Sequence, residues 1–212
     1  MSADLGRANR SRKQMTADIA HDLRNPLAVL SGYLESLQDG KLKPTPERFE
    51  VMQAEVTHLQ HLVEDLRTLS LADAGELKLH LELTSVPELL ARVTEAYRHQ
   101  AEQQQINLKV EIEPNLPEVN LDPTRMEQVL GNLVSNALRY TAADGEIRLE
   151  AKQLNGRLNV SVIDNGSGIP ADILPHIFER SYRGDESRSG NESGLGLAIA
   201  KSIVELHRGT IR

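Results

Sequence analysis

The chain contains no cysteine and no tryptophan, which excludes disulfide staples, thiolate zinc sites and cysteine nucleophiles. Aromatic residues are scarce as well: 2 Phe and 4 Tyr make up 3% of the 212 residues, so any core must be aliphatic. Basic charge is in deficit. With 24 Lys and Arg against 31 Asp and Glu the net charge is −7, which argues against a nucleic-acid surface because phosphate backbones need a basic face. No apolar run approaches the roughly 18 residues of a membrane span, and no signal-peptide pattern opens the chain, so a soluble chain is expected. What is present is 39% hydrophobic content, carried by Leu, Val, Ile and Ala and sufficient for one large domain or two small ones.

The pattern changes once along the chain. Ile19, Leu23, Leu27, Leu30, Leu34 and Leu37 are spaced 4, 4, 3, 4 and 3 apart, a coiled-coil seam on a helix expected over residues 5–38. Residues 40–46, with Pro44 and Pro46, break it. Phe49, Met52, Val56, Leu59, Val63 and Leu66 then repeat the seam on a helix reaching about residue 71. Two seamed helices joined by a short loop form an antiparallel hairpin, and pairing with a second copy into a four-helix bundle is the natural way to bury both seams. A homodimer is expected, with residues 1–73 as the hairpin domain.

Residues 74–212 read as short mixed elements, hence an α/β sandwich and a fold class of α plus α/β. Leu77, Leu79, Leu81 and Leu83 alternate with polar residues as a half-buried strand, and Pro87 opens a helix to about residue 104. Residues 106–112 alternate again, 119–121 are a short strand, and Asp122-Pro123 caps and starts a helix to Tyr140. Asn155-Gly156 joins two alternating runs as a hairpin turn. Residues 184–193 carry no apolar side chain, and a last helix covers about 195–206.

Four features carry chemistry. Asp164-Asn165-Gly166-Ser167-Gly168 follows a strand, where an aspartate can accept a hydrogen bond from an exocyclic amine, although a glycine-rich strand end is also a common turn. Gly194-Leu195-Gly196 at a helix start offers amide donors to phosphate, or is a flexible helix start. On the helix ending at Tyr140, Asn132 and Asn136 lie one turn apart at the edge of the apolar stripe, an unfavourable place for Asn. They either satisfy nearby backbone groups or hold a hydrated cation with its phosphates. His21 lies about 160° around the helix from Leu23, so it faces water as a usable nucleophile or as an ordinary surface histidine. Asp22 is adjacent, Asn25 shares its face, and Pro26 deprives the Asp22 carbonyl of its helical donor, so a bend is expected there. His58 and His61 have metal-compatible spacing but no accompanying ligands.

Together these residues resemble a known family. His21-Asp22-Leu23-Arg24-Asn25-Pro26-Leu27 resembles the phosphoacceptor box of sensor histidine kinases, and Glu127-Gln128-Val129-Leu130-Gly131-Asn132-Leu133-Val134-Ser135-Asn136-Ala137-Leu138-Arg139-Tyr140-Thr141 their asparagine box. Asp164-Asn165-Gly166-Ser167-Gly168 resembles the first glycine box, Phe178-Glu179-Arg180-Ser181-Tyr182-Arg183 the phenylalanine box, and Gly194-Leu195-Gly196-Leu197-Ala198-Ile199 the second glycine box. The five follow the family's order from about residue 7 onward.

The resemblance implies a dimerising phosphotransfer hairpin followed by an ATP-binding domain of the kind shared with DNA gyrase. It implies His21 as phosphoacceptor, Asp22 as the carboxylate accepting its proton, and Asn25 as a water-positioning residue for phosphatase action. Asn136 would ligate Mg2+, Asn132 and Arg139 would contact phosphates, Tyr140 would lie on the adenine and Asp164 would bond its amino group. Gly166, Gly168, Ile169, Gly194, Leu195, Gly196 and Leu197 would frame the ATP, Arg183 would reach the γ-phosphate, and residues 184–193 would form a lid. The implied partner is a response regulator, and Arg7, Arg10, Arg12 and Lys13 resemble the helix after a transmembrane module, so a cytoplasmic fragment of an inner-membrane sensor is expected. Asp22 stands where the family often has Glu, Ser181 where it usually has Phe, and the closing strands of the ATP-binding sheet would fall beyond Arg212. Two rivals remain: a gyrase-like ATPase, which would want Glu rather than Asn at position 132, and a degenerate nucleotide-binding scaffold.

Overall fold

The computed structural model describes residues 2–179 and 194–212. They group into two compact units: one contains the chain up to Asp73 together with Glu179, Gly194 and Leu195, the other runs from Ala74 to Phe178 and from Gly196 to Arg212.

The first unit is a pair of helices, α1 (Ser2–Gln38) and α2 (Pro46–Asp73). Each heptad seam divides in two. Leu23, Leu30, Leu37, Leu59 and Leu66 are half-buried and Met52 is buried, whereas Leu27, Leu34, Phe49, Val56 and Val63 are exposed. The exposed residues recur every seven positions within each helix, so one apolar position of each heptad is left uncovered. α1 continues helical through Pro26.

The second unit is a layer of helices on a sheet. β2 (Asn107–Ile112) lies parallel to β4 (Glu146–Leu154), which pairs antiparallel with β5 (Arg157–Asp164), giving the order β2-β4-β5. The hairpin turn has positive φ at both central residues, Asn155 at 51° and Gly156 at 75°, which matches the strand twist and explains that dipeptide. One sheet face is covered by α3 (Val86–Gln103) and α4 (Pro123–Tyr140), with Leu90, Val134, Ile147 and Leu149 sealed in the core between them. α5 (Gly196–Leu206) packs on α4 and buries Ile199 and Ile203.

The leucine alternation over 77–83 misleads. Only β1 (Glu82–Thr84) is strand, paired antiparallel with β3 (Val119–Leu121) through three residues, and Leu81 and Leu83 are exposed. A three-residue partner cannot extend the ladder further back. The chain at His80 is held by a side chain instead, its N–H donating to Asp122 Oδ2 at 2.9 Å.

Asp122 is the N-cap of α4: its Oδ1 accepts from the Arg125 N–H at 3.0 Å. Burial pushes its carboxyl up, but the two N–H bonds from Arg125 and His80, with the positive charge of Arg125, outweigh burial and leave it below its ordinary value. The ordinary, unfolded value is about 3.9. Because the folded value is the lower one, the carboxylate stabilises the fold fully above about pH 4 and loses that contribution as pH falls through the folded value. Asp122→Ala should therefore cost about 2 kcal/mol in urea unfolding at neutral pH, and the gap from wild type should close in acid. An equal gap at all pH values would mean that the charge is irrelevant.

Candidate functional site

His21 and Asp22 form the first candidate group. The His21 side chain is 64% exposed while Asp22 is 9% exposed, and Nδ1 of the imidazole lies 3.7 Å from Oδ1 of the carboxylate. The carboxylate thus sits on the Nδ1 side of the ring, just beyond hydrogen-bonding distance. Asn25, one turn on, is exposed, and Pro26 is buried.

The second group surrounds the C-terminal half of α4. The turn after β5 is stitched to its surroundings by backbone and side chain together. Asp164 Oδ1 accepts the Gly166 N–H at 2.9 Å, Asn165 Oδ1 accepts the Glu146 N–H at 2.8 Å, and the Ser167 N–H donates to the Tyr140 carbonyl at 3.1 Å. Gly166 runs so close to α4 that a Cβ there would come within 2.3 Å of the Tyr140 carbonyl oxygen, so any side chain would pry the turn from the helix. Gly168 has φ +72°, and Ile169 beside it is exposed. Asp164 is exposed at the strand end, and Tyr140 is 46% exposed with the Arg139 guanidinium 5.5 Å from its ring centroid.

The two asparagines part company. Asn132 donates from Nδ2 to the Gly196 carbonyl at 2.9 Å, so at least one of its amide hydrogens is occupied by the backbone of α5. Asn136 is half-buried, and among the described residues its side chain makes no hydrogen bond, leaving its amide oxygen available. No group of three His, Asp or Glu side chains suited to a metal exists among the described residues. An ion here would draw its other ligands from phosphate oxygens and water, the donor set that suits Mg2+.

The structure does not gather every candidate. Gly196 and Leu197 start α5 in the second unit, whereas Gly194 and Leu195 group with the first. Arg183 and residues 184–193 lie outside the described residues. Sequence reasoning quoted Asn165 only as part of the glycine motif and missed that it ties the turn to β4, and it missed His207, which accepts the Asp122 N–H at the far end of α4. A polar side chain directly after a strand hinted at the first. Nothing local marked the second.

An α-helical hairpin thus presents an exposed histidine, and an α/β unit carries an asparagine-bearing helix whose Tyr140 end lies against a glycine turn. Residues 11–75 match the family of His Kinase A (phospho-acceptor) domains, and residues 121–212 the histidine kinase-, DNA gyrase B- and HSP90-like ATPases. The signal transduction histidine-protein kinase BaeS of Escherichia coli strain K12 is 38% identical over 213 residues, covering 100% of this chain and 45% of that protein. Among solved structures, the histidine kinase AdeS of Acinetobacter baumannii is 31% identical, with a TM-score of 0.73 over 87% of this chain and 86% of that one. The histidine kinase ThkA, solved in complex with the response regulator protein TrrA, has a TM-score of 0.69 at 24% identity, over 98% of this chain and 60% of that one. The chain belongs to the two-component sensor histidine kinases. It spans half or less of the length of the curated relatives it matches. Among the described residues no helix is long and apolar enough to cross a membrane.

Proposed function

We propose that the chain is the catalytic core of an ATP-dependent protein histidine kinase that phosphorylates itself on His21 and passes the phosphoryl group to an aspartate of a response regulator. The observation that carries this reading is the contrast at the phosphoacceptor box: an imidazole open to solvent with a buried carboxylate beside its Nδ1. In a neutral ring with its proton on Nδ1, the Nε2 lone pair attacks the γ-phosphorus and the bond to ADP breaks with its electron pair leaving on ADP. A small rotation of either side chain brings Asp22 into reach of the Nδ1 proton, which the carboxylate then accepts. Phosphoryl transfer asks for positioning and charge stabilisation rather than covalent help. Mg2+, when bound, offsets charge on the β- and γ-phosphates. Asn136 would hold the ion through its amide oxygen, Asn132 and Arg139 would face the phosphates, and Asp164 would accept from the adenine amino group beside Tyr140. An Asn at position 132 disfavours the gyrase-like ATPase, which needs a carboxylate there to activate water.

The exposed heptad positions support a homodimer, since a second copy would cover Leu27, Leu34, Phe49, Val56 and Val63 at roughly 1 kcal/mol or more apiece. Membership of the family supports a response-regulator partner and a place at the cytoplasmic side of a membrane sensor. The assignment of residues 1–73 to phosphotransfer and 74–212 to nucleotide binding belongs to the same reading.

The test is incubation with γ-labelled ATP and Mg2+. Label should be stable in alkali and lost in mild acid, because protonation turns imidazole into a good leaving group; acid-stable label would point to Ser or Thr. A further split should separate neighbours on α1. Asp22→Ala should slow autophosphorylation roughly 10²–10⁴-fold, the usual worth of a general base, whereas Asn25→Ala should spare it and lose phosphatase action towards the regulator. Equal loss of both activities in both variants, with lowered melting temperatures, would make these residues structural instead.

A further inference from the structure

α5 is pinned to α4 at both of its ends by side-chain to backbone hydrogen bonds. At its start the Gly196 carbonyl accepts from Asn132 Nδ2 at 2.9 Å; just past its end His207 Nε2 accepts from the Asp122 N–H at 3.0 Å. The helices are therefore antiparallel, with α5 lying along the first ten residues or so of α4, about 16 Å at 1.5 Å per residue. Between the pins the contact is apolar, through Ile199 and Ile203 on α5, and apolar contact is non-directional. Close packing of these side chains sets the spacing of the helices and their coarse register, and the two pins are the directional contacts that hold it.

The His207 pin also declares its chemistry. Its Nδ1 lies 2.8 Å from the Ile203 carbonyl oxygen, which can only accept, while Nε2 faces the Asp122 N–H, which can only donate. The ring must be neutral with its proton on Nδ1. Asp122 is fully committed in turn: its N–H goes to His207, Oδ1 to Arg125 and Oδ2 to His80. One buried residue thus joins the end of α5, the start of α4 and the segment leading to β1.

We propose that His207 is a positioning residue for nucleotide binding: at the end of α5 remote from the site, its neutral imidazole fixes the register that keeps Gly196 and Leu197 level with Asn132 and Asn136. This rests on the reading that α4 and the start of α5 bind ATP. A helix that slips even a fraction of a turn changes which amides and side chains a phosphate meets, and the Asn132 bond to Gly196 cannot hold alone against a slide at the other end. The Gly196 contact is close enough to feel one, since a Cβ there would lie 3.3 Å from the Asn132 amide carbon.

The full chain is titrated with a non-hydrolysable ATP analogue and Mg2+, and KM for ATP and kcat are measured in autophosphorylation. His207→Ala should raise the dissociation constant and KM about three- to tenfold while kcat at saturating ATP stays within about twofold, the scale expected for one lost hydrogen bond. His207→Gln, whose side-chain oxygen reaches the position of Nε2 and can accept from the Asp122 N–H, should restore affinity to within about twofold of wild type. Unchanged affinity in His207→Ala, or Gln no better than Ala, would overturn the proposal. Nitrogen chemical shifts of His207 in the wild-type chain, which need no variant to fold, should report a neutral ring protonated on Nδ1; the other tautomer or a charged ring at neutral pH would also overturn it. Failure of the wild-type chain to bind the analogue would be a distinct result, removing the ATP reading and this proposal with it.

Discussion

His21→Gln should abolish incorporation of phosphate from ATP while leaving nucleotide affinity within error. Glutamine keeps the length, polarity and exposure of the side chain but has no nucleophilic ring nitrogen. The helix tolerates the change, since Gln is a good helix former and the His21 side chain is mostly in solvent apart from its contact with Asp22. The nucleotide residues proposed here, Asn132, Asn136, Arg139, Tyr140 and Asp164, all belong to the other compact unit, which contains its own sealed core and does not depend on the hairpin for that core. Labelling and analogue binding measured on the same preparation separate the two outcomes. Residual label on the variant would identify a different acceptor, and a large loss of binding would show that His21 contributes to the nucleotide site itself.

Asn136→Ala should reduce Mg2+-dependent nucleotide affinity by more than about tenfold, corresponding to about 1.4 kcal/mol, with little change in unfolding. The asymmetry between the two asparagines is the basis for expecting so clean a result. Asn132 is bonded to the Gly196 carbonyl, so its removal disturbs the α4–α5 contact as well as any ligand. Asn136 makes no hydrogen bond among the described residues, and alanine is the better helix former, so truncation there removes only what a ligand would use. Calorimetry with and without Mg2+ reads the effect directly. Affinity that is unchanged, or reduced equally in the absence of Mg2+, would remove Asn136 as the metal ligand.

Much of this architecture was legible because local rules decided it. Helix α4 has a capping Asp122, a Pro at its first position and an apolar stripe, and it runs from Pro123 to Tyr140 as those signals require. The Asn155-Gly156 turn was set by the two positive φ values that only such residues adopt cheaply. The seams of α1 and α2 were visible as 3,4 spacings, although the spacing could not say which half of each seam the hairpin covers. By the same limit, the leucines at 81 and 83 share the alternation of a half-buried strand, but burial needs an opposing layer and β3 is only three residues long.

The candidate site divides along the same line. Sequence alone determined which residue types stand at the phosphoacceptor box, the asparagine box and the glycine turn, because those residues are chemically distinctive and lie close together in the chain. Tertiary structure decided what each is committed to. Only the packing of α5 on α4 shows that Asn132 is engaged by Gly196 while Asn136 is not, and only the path of the chain over 85 residues brings His207 to the Asp122 N–H. The physical reason is range: capping, turn and periodicity preferences act over a few residues, whereas a hydrogen bond between distant segments exists only after burial of the apolar faces has brought them together.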